Sequence, residues 1–150
     1  MTEGLRGTLH PTSTAPGTTL ASATRGRYLA VVVCAECHTA NGTGTAPRDW
    51  SKAFAGGQDF QLGIAGLPSH IYSRNITPDA TGIMAWTVAN VKTVLAMGKD
   101  KAGQNLCPPM SFGPMGAFAN LTDADATDLA NYIVNLPAVV NTLPDKCVLP

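Results

Sequence analysis

The sequence predicts a small all-α domain: three to five short helices joined by long loops. Two observations carry this. Residues 87–97 and 122–136 show helical spacing of apolar residues between recognisable start and stop signals. The chain also holds 15 Gly and 11 Pro in 150 residues with only 6% aromatics, and no strand–helix–strand alternation. The length is that of one domain.

Residues 1–23 are rich in Thr, Ser, Gly and Pro and read as a flexible or surface-wrapping segment, leaving 24–150 as the folded domain. The first helix is expected to begin near Thr24, with an apolar face from Leu29, Val32 and Val33. The β-branched run Val31-Val32-Val33 also suits a strand. Gly26, one turn before Ala30, gives a small-residue face on which another helix can approach closely. Residues 39–82 read as loop, with turn signals at Asn41-Gly42, Gly56-Gly57 and Asn75-Ile76-Thr77-Pro78-Asp79. So long a loop in a compact domain points to a function, such as wrapping a bound group.

The second helix is expected from Thr87 to Met97, capped by Thr87 and closed by Gly98, with Val88, Val91, Val94 and Leu95 inward. The last begins at the N-cap Thr122, with Asp123 and Asp125 favourable at the positive end of the helix dipole. Leu129, Ile133 and Leu136, with Ala126 and Ala130, form its buried stripe, and Pro137 stops it. Tyr132 lies beside that stripe, placed to meet Gly26 across a helix crossing.

Residues Cys34-Ala35-Glu36-Cys37-His38 carry the chemistry. The pattern C-x-x-C-H attaches a c-type haem covalently. Two thiols one helical turn apart reach one edge of the ring and add to its vinyl groups, and the adjacent imidazole points at the iron. A zinc site would need two more ligands from Cys107, Cys147, His10 and His70, which are irregularly spaced singletons. A thioredoxin-like CxxC belongs beside a βαβ unit, and none is visible.

The sixth iron ligand separates an electron carrier from a haem enzyme. Met110 is the leading candidate, because Pro108-Pro109 stiffen the loop that presents it and an iron–thioether bond is weak. Met115 is the rival, and an absent methionine ligand is the third possibility. Met84 falls in a turn, and Met97 reads as flexible core filler on a helical face. Pro47 is placed to shape a loop whose carbonyl orients the His38 ring.

Formal net charge is zero, so nucleic acid is not an expected partner. No apolar run reaches 18 residues, so no transmembrane segment is expected. No leader is visible, although haem c is attached outside the cytoplasm in bacteria; removal of a leader from a periplasmic or extracellular protein reconciles the two. Cys107 and Cys147 remain after the haem pair, and an even remainder outside the cytoplasm suggests a disulfide, against the alternative of two free thiols. A bridge closing about 40 residues contributes about 4 kcal/mol in the chain-entropy model.

Together these residues resemble a class I monohaem c-type cytochrome, similar to the cytochrome c domains in electron-accepting subunits of bacterial membrane-bound alcohol and aldose dehydrogenases. The resemblance runs through Gly26-Arg27-Tyr28-Leu29-Ala30, Cys34 to Thr39, Phe54-Ala55-Gly56-Gly57, Asn75-Ile76-Thr77-Pro78-Asp79, Thr81-Gly82-Ile83 and Trp86. Pro108-Pro109-Met110, Leu121-Thr122-Asp123 and Tyr132-Ile133 complete it. Ser111 stands where the family often has Pro.

The resemblance implies crossed first and last helices around one covalent haem, with His38 and Met110 as axial ligands. It implies Arg74, Asn75 and Trp86 as donors to the haem propionates. The expected role is electron transfer between redox partner proteins, whether a dehydrogenase, an oxidase or another cytochrome. The alternative is a haem c enzyme or ligand sensor with an open or exchangeable sixth site, and no cluster of His, Arg or carboxylates marks a distal catalytic pocket for it.

Overall fold

Gly26 and the backbone of Asp128 meet where the first and last helices cross. A computed structural model describes residues 19–41, 47–110, 116, 118–144 and 146–149. Its helices are α1 (Leu20–Leu29), α2 (Ala35–His38), α3 (Val88–Met97) and α4 (Asp123–Val134). A π-helical turn, Ala30–Cys34, joins α1 to α2, and a 3₁₀ turn spans Trp50–Lys52. Two antiparallel ladders of two residues each complete the architecture. β1 (Asp59–Phe60) pairs with β2 (Ile71–Tyr72), and β3 (Asn105–Leu106) with β4 (Val148–Leu149).

The first helix starts four residues before the expected Thr24. Thr19 caps it, its hydroxyl accepting from the Ser22 N–H at 3.2 Å. The expected N-terminal segment therefore contributes its last residues to α1, while residues 1–18 lie outside the described residues. The Val31–Val33 run forms neither strand nor regular α-helix. The Ala35 N–H bonds back to the Ala30 carbonyl, so this turn holds one extra residue. Val32 and Val33 remain exposed while Cys34 and Ala35 are buried.

The helix at 88–97 forms as its sequence dictates. Thr87 and Asn90 make a reciprocal capping box, with Thr87 N–H on Asn90 Oδ1 at 3.0 Å and Asn90 N–H on Thr87 Oγ1 at 3.3 Å. Gly98 closes it in the left-handed conformation at φ 62°. In α4, Thr122 Oγ1 accepts from the Asp125 N–H at 3.1 Å. The inward face of α4 packs Leu129, Ala130 and Ile133 against Ala30, Phe54 and Leu95.

A Cβ on Gly26 would lie 1.9 Å from the Asp128 carbonyl oxygen and 2.9 Å from the Leu129 nitrogen. Gly26 therefore meets α4 one turn before the expected Tyr132. Tyr132 packs edge-on against Phe54, ring centroids 6.0 Å apart, and is fully buried. Polar contacts flank the crossing: Arg25 Nε lies 2.5 Å from Asp128 Oδ2, and the Asn131 amide donates to Ser22 Oγ at 2.6 Å.

Gly26→Ala sets two effects against each other. Alanine gains about 1 kcal/mol of helix propensity, but its methyl overlaps rigid backbone rather than a movable side chain. Overlap wins, and the holoprotein is expected to lose about 3 kcal/mol in denaturant unfolding, the upper end of ordinary overpacking costs. An unchanged midpoint would mean that the helices do not touch there.

Candidate functional site

A cavity of about 570 Å³ opens beside α2 and α3. That lies within the ~300–1,000 Å³ of small-molecule and cofactor sites. Cys34, Cys37, His38 and Met110 all line it, and Val91 and Leu95 of α3 make part of its apolar wall. The sequence places two of these groups 72 positions apart (110 − 38), and the fold brings them to one chamber.

His38 is held from behind. Its Nδ1 lies 2.7 Å from the Arg74 carbonyl oxygen, so Nδ1 carries the proton and donates. The other ring nitrogen, Nε2, then keeps its lone pair, which is what a metal requires. Burial lowers the His38 pKa, against the opposing effect of the Arg74 carbonyl, and keeps the ring neutral at neutral pH.

The orienting carbonyl is not on the expected loop. Pro47 is exposed, and the acceptor comes from the segment after β2. That segment reaches His38 through residues 54–57. Gly56 N–H donates to the His38 carbonyl at 2.7 Å, Gly57 N–H to the Ser73 carbonyl at 2.9 Å, and Ile76 N–H to the Phe54 carbonyl at 3.0 Å. Gly56 has φ 76°, and a Cβ there would lie 2.4 Å from the Ser73 oxygen. Only glycine fits so close a passage in that conformation.

Cys34 and Cys37 are free thiols. Burial, with Cys37 beside it, pushes the Cys34 thiol up to about 12. Burial and Glu36 also raise Cys37, with Arg48 pulling the other way. Both are therefore neutral thiols at neutral pH, a form compatible with an apolar chamber.

Arg74, Asn75 and Trp86 line the same cavity. The Arg74 guanidinium donates to the Pro144 carbonyl. Asn75 is almost wholly buried, and its amide nitrogen donates to Thr81 Oγ1 at 3.0 Å and to the Val139 carbonyl at 2.8 Å. Its Oδ1 accepts from the Thr77 N–H at 2.9 Å and hydroxyl at 2.8 Å. Asn75 thus fastens the loop at 75–81 to the segment after α4.

Among the described residues, Met110 is the methionine lining the cavity. Met84 is 60% exposed. Met97 is 46% exposed, so it is not the core filler its helical position suggested. Met115 lies outside the described residues. Cys107 and Cys147 form a disulfide, with Cα atoms 5.6 Å apart. Both therefore drop out as zinc ligands, and no three His, Cys, Asp or Glu side chains gather as a metal cluster among the described residues. The chamber offers an apolar wall, two thiols and a buried imidazole, a donor set that fits a covalently held haem, and Met110 also lines it.

A model of the cytochrome c family matches residues 23–137. The chain is 37% identical over 131 residues to the fructose dehydrogenase cytochrome subunit of Gluconobacter japonicus, covering 86% of this chain and 24% of that one. It is 34% identical over 113 residues to the gluconate 2-dehydrogenase cytochrome c subunit of Pantoea cypripedii, covering 74% and 22%. It is 33% identical over 113 residues to the alcohol dehydrogenase (quinone) cytochrome c subunit of Komagataeibacter europaeus, covering 74% and 21%. The chain thus spans a quarter or less of the length of these relatives.

Proposed function

The chain belongs to the cytochrome c family, and on that premise we propose that it is a monohaem electron carrier with His38 and Met110 as axial ligands. Members of this family bind haem c covalently and transfer electrons. Here Cys34 and Cys37 form the thioethers. When bound, the haem supplies a reversible one-electron iron couple.

The protein's own residues do the rest. The Arg74 carbonyl fixes the His38 tautomer, and the loop at 107–110 presents Met110. Thioether ligation in an apolar chamber favours the ferrous state and raises the potential. Arg74 and Trp86, on the cavity wall, are the donors to the propionates. Asn75 belongs to this group by position; with both amide protons committed to Thr81 and Val139, its side chain holds the wall in place.

The single observation that supports the reading best is that Cys34, Cys37, His38 and Met110 line one cavity. The carrier works outside the cytoplasm, in the periplasm or extracellularly, where haem c is attached. It exchanges electrons with redox partner proteins: a dehydrogenase on the donor side, as the relatives' names suggest, and another cytochrome or an oxidase on the acceptor side. The folded domain takes in α1 from Leu20 onward, and no described helix is long and apolar enough to cross a membrane.

A redox titration of the holoprotein tests this. One reversible Nernst curve with n = 1 is expected, the oxidised-to-reduced ratio changing tenfold per ~59 mV. A two-electron curve, or irreversible reduction, would contradict a simple carrier.

A further inference from the structure

We propose that the Cys107–Cys147 disulfide, with the ion pair beside it, is a clamp that positions Met110 over the haem chamber. The inference rests on the reading of Met110 as the sixth ligand.

The clamp is assembled three residues from the sulfur it would hold. Leu106 pairs with Val148 in the β3–β4 ladder, and the next position on each strand is the bridged pair. Only Pro108 and Pro109 separate Cys107 from Met110. Three residues span at most about 11 Å even fully extended, so a fixed Cys107 confines Met110 closely. Cys107 is buried, and both cysteines line the cavity with Met110.

The bridge does not act alone. Lys146 pairs with the buried carboxylate of Asp100 and donates to Gln104 Oε1 at 2.6 Å. Burial raises the Asp100 pKa, but the hydrogen bond from Lys146 and the N–H groups of Gln104 and Ala102 outweigh it, and the carboxyl sits below its usual range. The Leu106 N–H donates to the Gly98 carbonyl at 2.8 Å, which returns this loop to the end of α3. A ladder of two residues is marginal by itself. The covalent link is what makes the pairing persist. A weak iron–thioether bond needs a sulfur already in place, because ordering a free loop each time would consume its binding energy.

The test uses the holoprotein, in which Cys34 and Cys37 are consumed as thioethers. In Cys107→Ser/Cys147→Ser, the ferric methionine-to-iron charge-transfer band is expected to weaken. Ferrous carbon monoxide binding is expected to accelerate by about tenfold or more, the change that ~1.4 kcal/mol of lost loop closure produces. Helical circular dichroism should be retained. Asp100→Asn should shift both readouts in the same direction by less.

Should the double variant not fold, the folded wild type can be treated with a small-molecule dithiol. The bridge takes two electrons and two protons to give two thiols while the dithiol becomes a disulfide, and carbon monoxide binding is then read on the ferrous form. A band present in wild type and unchanged in the double variant, with unchanged carbon monoxide kinetics, would overturn the clamp alone. In the dithiol-treated protein, unchanged carbon monoxide kinetics would do the same. A wild type without the band would overturn Met110 ligation and the clamp with it.

Discussion

Met110→Ala is expected to turn the ferric holoprotein from low-spin to high-spin and to let the ferrous form bind carbon monoxide rapidly. Met110 lines the same cavity as Cys34, Cys37 and His38, whereas Met84 and Met97 are exposed and do not line it. Alanine removes the thioether and leaves no replacement among the described methionines. The potential should fall by roughly a tenth of a volt or more, within the ~0.8 V range that axial ligands command. Met110→His separates coordination from packing: it should stay low-spin, refuse carbon monoxide, and still show a lowered potential. Both are read by absorption spectroscopy and redox titration. A Met110→Ala protein with unchanged spin state and potential would place the sixth ligand elsewhere.

The second large effect concerns folding itself. Cys34→Ala/Cys37→Ala is expected to yield a protein that carries no covalent haem and lacks a cooperative unfolding transition. The reason is the size of the chamber. An unfilled apolar cavity of 570 Å³ at about 24 cal/mol per Å³ has a ceiling cost near 14 kcal/mol. Water entering through the mouth and collapse of the walls reduce that figure. Even so it is comparable to the whole stability of a domain, about 5–15 kcal/mol. The measurement is intact mass after maturation in a haem c-attaching host, followed by thermal unfolding monitored by circular dichroism. A variant that unfolds cooperatively near the wild-type temperature without haem would show that the helices, not the cofactor, make the core.

What the sequence disclosed and what it hid divide along physical lines. Local signals were legible. CAECH identified the thiols and imidazole, Thr87 and Thr122 marked two helix starts, and Gly98 marked a stop. The bridge between Cys107 and Cys147 followed from an even count. The small face at Gly26 foretold a close crossing, but its partner was misplaced by one turn, because spacing fixes a face and not the height at which two helices meet. The start of α1 was missed because Thr19 sits in a Thr- and Ser-rich stretch where many residues can cap.

Backbone partners were not legible at all. The carbonyl that orients His38 belongs to Arg74, and any residue type offers the same carbonyl. Asn75 looked like a turn residue or a propionate donor. Its amide also donates to Thr81 nearby, but its bond to the Val139 carbonyl depends on a segment 64 residues away. The π turn at Ala30–Cys34 has no sequence signature: its three β-branched valines suit a strand and are only tolerated in a helix. The pair of Asp100 and Lys146 was invisible because the β3–β4 ladder brings them together across 46 positions.

The central claim is an iron closed on both faces and dedicated to electron transfer. The absorption spectrum of the ferric holoprotein, matured in vivo and left without added ligand, tests it most directly. A low-spin spectrum with a weak methionine-to-iron charge-transfer band is the predicted result. A high-spin spectrum that shifts at once when cyanide is added would contradict it and point to a haem protein built to bind small molecules.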